Sequence, residues 1–334
     1  MYTTSSPPTS HIKTRFLILS DTHSFDPVHN TNNDAPYRLP LPKADVLLHC
    51  GDLTMIGLLE EFEGALSMLE RIDADLKLVI AGNHDISLDE PYYARKGRYM
   101  QGKRFEENMP RRARELWTGE RARKAGVTYL EEGLHSFVLS NGASLRVYAS
   151  PYQPAFCDFA FPYARNEDRY NLPHQCSPGA KPIAENPVPD WQESKGVDVV
   201  MTHGPPASVL DAVRPGDHVG CEHLMRAMRR CKPKLHCFGH IHEGWGAQKM
   251  GWAEGTELDV RTPNDHVKET RPIVVDQKRM KDERAVHVDI SAGGDQLKSG
   301  RETLMVNASI MSVRYEPVQG PWLVDMDLEP ASNG

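Results

Sequence analysis

The sequence predicts an α/β sandwich, and two observations predict it. Short apolar runs recur along the chain, and each ends in a polar cluster built from Asp, Asn, His and Gly. Between the second and third runs, residues 55–72 carry Leu58, Leu59, Phe62, Leu66 and Leu69 at helical spacing. In such layered folds, ligands gather beyond the carboxyl ends of the strands.

The elements follow in order. Residues 14–20 (TRFLILS) read as a buried strand ending in DTH, and residues 44–50 (ADVLLHC) as a second, ending in GDLT. Residues 76–80 (LKLVI) form the third, ending in AGNHD. Residues 89–125 are charged and helical in part, and 136–148 read as a hairpin around Asn141-Gly142. Residues 156–194 mix proline, aromatic and polar residues without a period; loops of this length in compact domains are often functional. A strand at 197–201 ends in THGPP, and a short helix covers 221–230. The run 235–238 leads into GHIHEGWG. Residues 254–284 are strongly charged and read as an exposed insertion, before late strands at 304–309 and 322–327. A disordered lead over 1–13 and one domain over 14–330 are expected.

Composition narrows the function. The chain has 334 residues, 39% hydrophobic and 25% charged, as in ordinary globular proteins. A net charge of −7 argues against general nucleic-acid or membrane-surface binding. The polar start MYTTSSPPTSHIKTR has no secretory h-region, and no stretch reaches the apolar length of a membrane span. The six cysteines, Cys50, Cys157, Cys176, Cys221, Cys231 and Cys237, have irregular spacing and no CxxC pair. Reduced thiols and a cytoplasmic location are expected. Asn307-Ala-Ser309 matches a glycosylation sequon, read here as a chance match.

Five strand ends carry the chemistry: Asp21-Thr22-His23, Gly51-Asp52, Gly82-Asn83-His84-Asp85, His203 and His240-Ile241-His242. In an extended chain, residues i and i+2 face one way, so His240 and His242 aim two imidazoles together, which suits a metal; for this pair alone a surface turn that happens to contain histidine is an equal reading. The Asp, Asn and His side chains of these motifs are of types that suit Mn, Fe, Zn, Co or Ni; a Ca²⁺ cage would need more oxygen.

Together the motifs resemble the calcineurin-like metallophosphoesterase superfamily, whose signature runs DxH, GD, GNHD, H and GHxH. THGPP, GHIHEGWG and VNAS resemble its metallophosphoesterase-domain branch. The resemblance implies a two-sheet β-sandwich flanked by helices, with a dinuclear metal site at the strand ends. It implies that Asp21, His23 and His242 bind a first divalent ion, that Asn83, His203 and His240 bind a second, and that Asp52 bridges them. Some members of that branch lack the first His of GHxH; His240 is present here, so a complete site with two divalent ions, manganese favoured, is expected.

The reaction implied is phosphoester hydrolysis, most directly of small phosphodiesters such as cyclic nucleotides. A metal-bound hydroxide would attack phosphorus in line, and His84 would assist the leaving group. Asp85, adjacent in sequence, is expected to orient His84. The partner expected is a small phosphodiester, with no membrane and no stable nucleic acid. The motifs leave open a phosphomonoesterase or protein phosphatase, and a non-catalytic scaffold on the same fold.

Other residues receive plainer readings. His49 and Cys50 read as core residues, and His135, His174, His218, His223, His236, His266 and His287 as structural or surface residues. Tyr152, Phe156, Phe159, Phe161 and Tyr163 could stack a base or pack locally. Trp245 could wall a cleft or pack. Arg226, Arg229, Arg230, Lys232 and Lys234 read as a solvated helix face. Asn307 could brace the metal loops.

Overall fold

The computed structural model describes residues 11–29, 34–191, 196–253 and 267–331. Among these, six strands form one large sheet and seven form another. From edge to edge the first runs Val286–Asp289, Trp322–Leu328, Ile12–Leu19, Ala44–His49, Ala74–Val79 and Val127–Tyr129. Its neighbours are parallel except for Ile12–Leu19 against Trp322–Leu328. The second runs Val267–Pro272, Gly246–Trp252, Glu302–Asn307, Leu235–Phe238, Val199–Thr202, Ser144–Ser150 and Gly133–Val138. Its four strands from Glu302–Asn307 to Ser144–Ser150 are parallel.

Alternation along the strands sets the layers. Phe16, Ile18, Val46, Leu48 and Leu78 face Leu145, Val147, Val199, Met201, Leu235 and Val306 of the other sheet. Leu17, Leu19, Leu47 and Val79 face outward onto Phe62, Leu66 and Leu69 of the helix Leu59–Glu70 and onto Trp117 of the helix Met109–Thr118. Tyr148, Val200, Phe238 and Met305 pack on Leu224, Met228 and Cys231 of the helix Glu222–Cys231. The result is helix, sheet, sheet, helix. At one end Ser20 joins the sheets: its N–H donates to Ala308 O (3.0 Å) and its carbonyl accepts from Ile310 N (2.9 Å). The carboxyl ends of the parallel strands meet there.

Several boundaries differ from the expectations. The first strand begins at Ile12, inside the expected lead; residues 1–10 lie outside the described residues. The first helix begins at Leu59 because the Glu61 carboxylate accepts from Met55 N, Ile56 N and Leu58 N, holding residues 55–58 as a loop. Of the charged 254–284 segment, 254–266, with His266, lie outside the described residues. The rest is built into the fold: Val267–Pro272 pairs with Gly246–Trp252, and Met280 of the helix Gln277–Glu283 is in the core.

The basic stretch is not a solvated face. Arg229 is buried, Arg230 pairs with Asp190 and Asn171, Arg226 donates to Gln175 O, and Lys234 pairs with Asp198. Trp245 packs on Trp322 and donates to Gly320 O. All six cysteines are free.

Candidate metal centre

The strand ends bring their polar residues to one edge. Asp21 and His23 follow Ile12–Leu19, Asp52 follows Ala44–His49, and Asn83 and His84 follow Ala74–Val79. From the second sheet, His203 follows Val199–Thr202, and His240 and His242 follow Leu235–Phe238. Asp21, His23, Asp52 and His240 all hold positive φ, 53°, 43°, 52° and 68°. Left-handed backbone at four such residues is costly and is characteristic of functional loops. Two glycines make room. A Cβ on Gly239 would lie 2.0 Å from Asp21 Oδ2, and one on Gly82 would lie 2.3 Å from Asp52 Oδ1.

The side chains converge as two groups that a third one links. Ligand atoms of Asp21, His23 and His242 lie within 4.8 Å of one another, as do those of Asp52, His203 and His240. A third group of the same dimension, His23, Asp52 and His84, joins them. His242 Nε2 is 3.4 Å from Asp21 Oδ1, and His23 Nε2 is 3.7 Å from Asp52 Oδ2. His203 Nε2 is 3.4 Å from Asp52 Oδ1 and 2.8 Å from Asn83 Oδ1.

The outer hydrogen bonds test whether metals fit. Nδ1 of His23 lies 3.2 Å from Thr54 O, Nδ1 of His242 3.0 Å from Ser312 O, and Nδ1 of His203 2.9 Å from Cys50 O. A carbonyl accepts, so each Nδ1 carries the proton and each Nε2 turns inward. This is the usual outer shell of a ligating histidine. The Nε2 atoms of His23 and His242 then face each other at 3.3 Å, and His203 Nε2 faces two oxygen acceptors. Such contacts need a proton or a cation between them. The donor set fits divalent ions held by imidazole and carboxylate.

The electrostatics agree. Burial works against charge on Asp21, but His242, by hydrogen bond and charge, holds its carboxyl below the usual range. Burial likewise opposes Asp52, yet His203 and His84 keep it well below that range. Burial pushes His23 down to about 4; burial, then the charge of His203, pushes His240 down to about 3. Burial disfavours the His203 cation too, but Asp52 and Asp21 carry it up to about 9. Two carboxylates thus stay ionised in a buried cluster that demands positive charge.

His84 and Asp85 do different work. His84 lines the cleft; its Nδ1 donates to Met55 O at 2.7 Å, and its N–H donates to Asp52 Oδ1 at 2.8 Å. The expectation that Asp85 orients His84 is corrected. Asp85 accepts from Gly82 N (2.8 Å), Leu53 N (3.2 Å), Thr54 N (3.0 Å) and Thr54 Oγ1 (2.8 Å). It clasps the Asp52 loop to the Asn83 loop, and Met55 O orients the His84 ring. Burial, then Asp52, push Asp85 up to about 7. All four partners donate, however, so the ionised form is the one built in.

Sequence reasoning missed several neighbours. Ser309 Oγ donates to Asp21 Oδ2 at 3.0 Å. Tyr315 stands edge-on to His23 at 4.8 Å; Phe159, one of the aromatic group named from the sequence, stacks on His84 with centroids 4.3 Å apart. Glu302–Asn307 is parallel and ends at the same edge, a signal that could have found Ser309. Asn307 braces the loop as suspected, donating to Ile241 O and Leu210 O. His49 is buried 3.0 Å from Thr22 Oγ1, and Cys50 lies in the core. Of the aromatic group, Phe156 and Phe159 reach the site, while Phe161 and Tyr163 are buried elsewhere.

The sequence is similar to known proteins over most of its length. Residues 14–244 match the family model described as calcineurin-like phosphoesterase. Metallophosphoesterase domain-containing protein 1 of Homo sapiens is 32% identical over 269 residues, 79% of this chain and 71% of that protein. Probable rhamnogalacturonate lyase C of Emericella nidulans is 31% identical over 241 residues, 71% of this chain and 18% of that one. Among solved structures, phosphopantetheinyl hydrolase (PptH) of Mycobacterium tuberculosis has 15% identity and a TM-score of 0.38, over 78% of this chain and 96% of its own. The chain belongs to the calcineurin-like phosphoesterase family.

Proposed function

We propose that this protein is a phosphodiesterase acting on small phosphodiesters, cyclic nucleotides among them, with two divalent ions and manganese the favoured metal. The observation that carries the diester reading is the cleft over the histidines. Its volume is about 170 Å³, and Asp52, Asn83, His84, Phe156, His240, His242, Glu243, Val313 and Tyr315 line it. Among the described residues no Lys or Arg lines it. A monoester dianion brings a second charge that no lysine or arginine among those residues offsets and that Glu243 repels. A diester monoanion replaces that charge with an ester arm that Phe156, Val313 and Tyr315 can cover.

When bound, the two ions would supply an activated water and positive charge for the phosphoryl oxygens. Asp21, His23 and His242 would hold one, Asn83, His203 and His240 the other, and Asp52 both. His84, with Nδ1 fixed on Met55 O, turns Nε2 toward the departing oxygen, to which the doubly protonated ring would give a hydrogen bond or a proton.

The test is hydrolysis by Mn²⁺-loaded protein of bis(p-nitrophenyl) phosphate and of p-nitrophenyl phosphate, beside His84→Ala. Diester turnover that needs Mn²⁺ and drops in the variant, with metal content unchanged, supports the reading. Preference for the monoester makes the protein a phosphatase. No turnover of either with metals bound makes it a scaffold.

A further inference from the structure

Two aromatic side chains at the cleft, besides Val313, are left to water. Phe156 is 55% exposed and Tyr315 is 44% exposed. Both stand on candidate ligand rings. Phe156 is edge-on to His240, centroids 5.6 Å apart and planes at 89°. Tyr315 is edge-on to His23 (4.8 Å, 78°) and to His242 (5.5 Å, 81°). His240 belongs to one ligand group, and His23 and His242 to the other. The two aromatic rings therefore flank the phosphoryl position, one beside each metal set.

Neither ring is on a loose loop. Tyr315 has φ 59°, a left-handed conformation that a bulky residue rarely takes without a reason. Ser312 enforces it: Tyr315 N donates to Ser312 O at 2.9 Å, and Ser312 Oγ accepts from Arg314 N and Glu316 N. The same Ser312 O accepts from His242 Nδ1, so the Tyr315 loop and a ligand histidine share one anchor. On the other side, Ala155 N donates to Tyr163 O, Phe159 N to Phe156 O, and Ala160 N to Asn83 O. Cys157 and Asp158, just after Phe156, also hold positive φ. These hydrogen bonds hold the Phe156 turn beside the cleft. The Tyr315 hydroxyl makes no hydrogen bond among the described residues.

We propose that Phe156 and Tyr315 are the specificity-determining walls of the cleft, and that the ester group remaining on phosphorus after cleavage carries a planar aromatic ring held between them. The inference rests on the phosphodiesterase reading. Exposed preorganised aromatic faces recognise flat rings by stacking, and they contribute little to a methyl group. Among the described residues no Lys or Arg lines the cleft, which leaves the ring contact as the main discriminator outside the phosphoryl group.

The experiment compares bis(p-nitrophenyl) phosphate with methyl p-nitrophenyl phosphate. The leaving group is the same, and only the retained ester differs. The aryl-to-methyl ratio of kcat/KM is measured for wild type, Phe156→Ala, Tyr315→Ala and the conservative Phe156→Tyr and Tyr315→Phe, with metal content checked in each. Binding of phenylphosphonate and methylphosphonate by calorimetry gives a second reading without turnover. The ratio should fall about fivefold or more in each alanine variant and hold in the conservative ones, mostly through KM. Phenylphosphonate should lose its advantage in the same variants. If wild type hydrolyses both diesters and the ratio is unchanged in both alanine variants, the wall assignment is overturned while the phosphodiesterase reading stands. If wild type hydrolyses neither diester, that reading itself fails.

Discussion

Asp85→Ala should loosen the metal centre without touching His84. In the native loop the fully buried Asp85 carboxylate accepts from three backbone N–H groups, of Leu53, Thr54 and Gly82, and from the Thr54 hydroxyl. Alanine leaves four donors without that acceptor. A buried unsatisfied donor costs about 1–3 kcal/mol, although water entering the cavity recovers part of it. Removing a buried carboxylate also removes its own desolvation cost. The net loss should be about 3 kcal/mol, a large share of the roughly 5–15 kcal/mol of a typical domain. Asp85→Asn keeps one oxygen and points its NH₂ at two donors, so it should lose about 2 kcal/mol. Because Asp52 and Asn83 sit on the two clasped loops, bound Mn²⁺ should fall in parallel. Urea unfolding and metal analysis at pH 7.5 read both quantities. If stability and metal content hold while turnover falls as in His84→Ala, Asp85 acts on His84 and the clasp is refuted.

Three further outcomes follow from the geometry. Gly239→Ala would place a Cβ 2.0 Å from Asp21 Oδ2 and 2.1 Å from Ser20 Oγ, so it should cost about 1–3 kcal/mol and empty the Asp21 site, read by metal analysis. Burial holds His49 and His236 neutral, with pKa values pushed down to about 3. Unfolded histidine takes a proton near 6.5, so the unfolded chain binds more protons between pH 6.5 and 3; stability is full above 6.5 and is lost as pH falls through that window. For the two residues the slope is about 2.7 kcal/mol per pH unit, and an unfolding midpoint in urea that stays flat from pH 6.5 to 5 would count against it. Chelation should lower the melting temperature, because it leaves the Asp21 and Asp52 carboxylates crowded among histidines; an unchanged melting curve after verified metal removal would contradict this.

Much of the site was legible because parallel strands send their carboxyl ends to one edge. DTH, GD, GNHD, TH and GHIH each follow an apolar run, so their convergence followed once the runs were strands of two packed sheets. The sheet order was not legible. Ile12–Leu19 pairs with Trp322–Leu328 across the whole chain, and no local period encodes that partner. Adjacency misled at Asp85, because neighbours in a turn point different ways. The basic run 226–234 misled because its counter-charges, Asp190 and Asp198, lie outside the run in sequence. Ser312 and Tyr315 were invisible because a strained loop without a motif carries them.

Mn²⁺ stoichiometry tests the proposed two-metal centre, with Asp52 shared by both ions, most directly. Stripped protein is titrated with Mn²⁺ and the bound metal counted, for wild type, Asp52→Ala and His240→Ala. Two ions per chain in wild type, one in His240→Ala and less than one in Asp52→Ala is the predicted result. One ion or none in wild type, or two retained without Asp52, would contradict it.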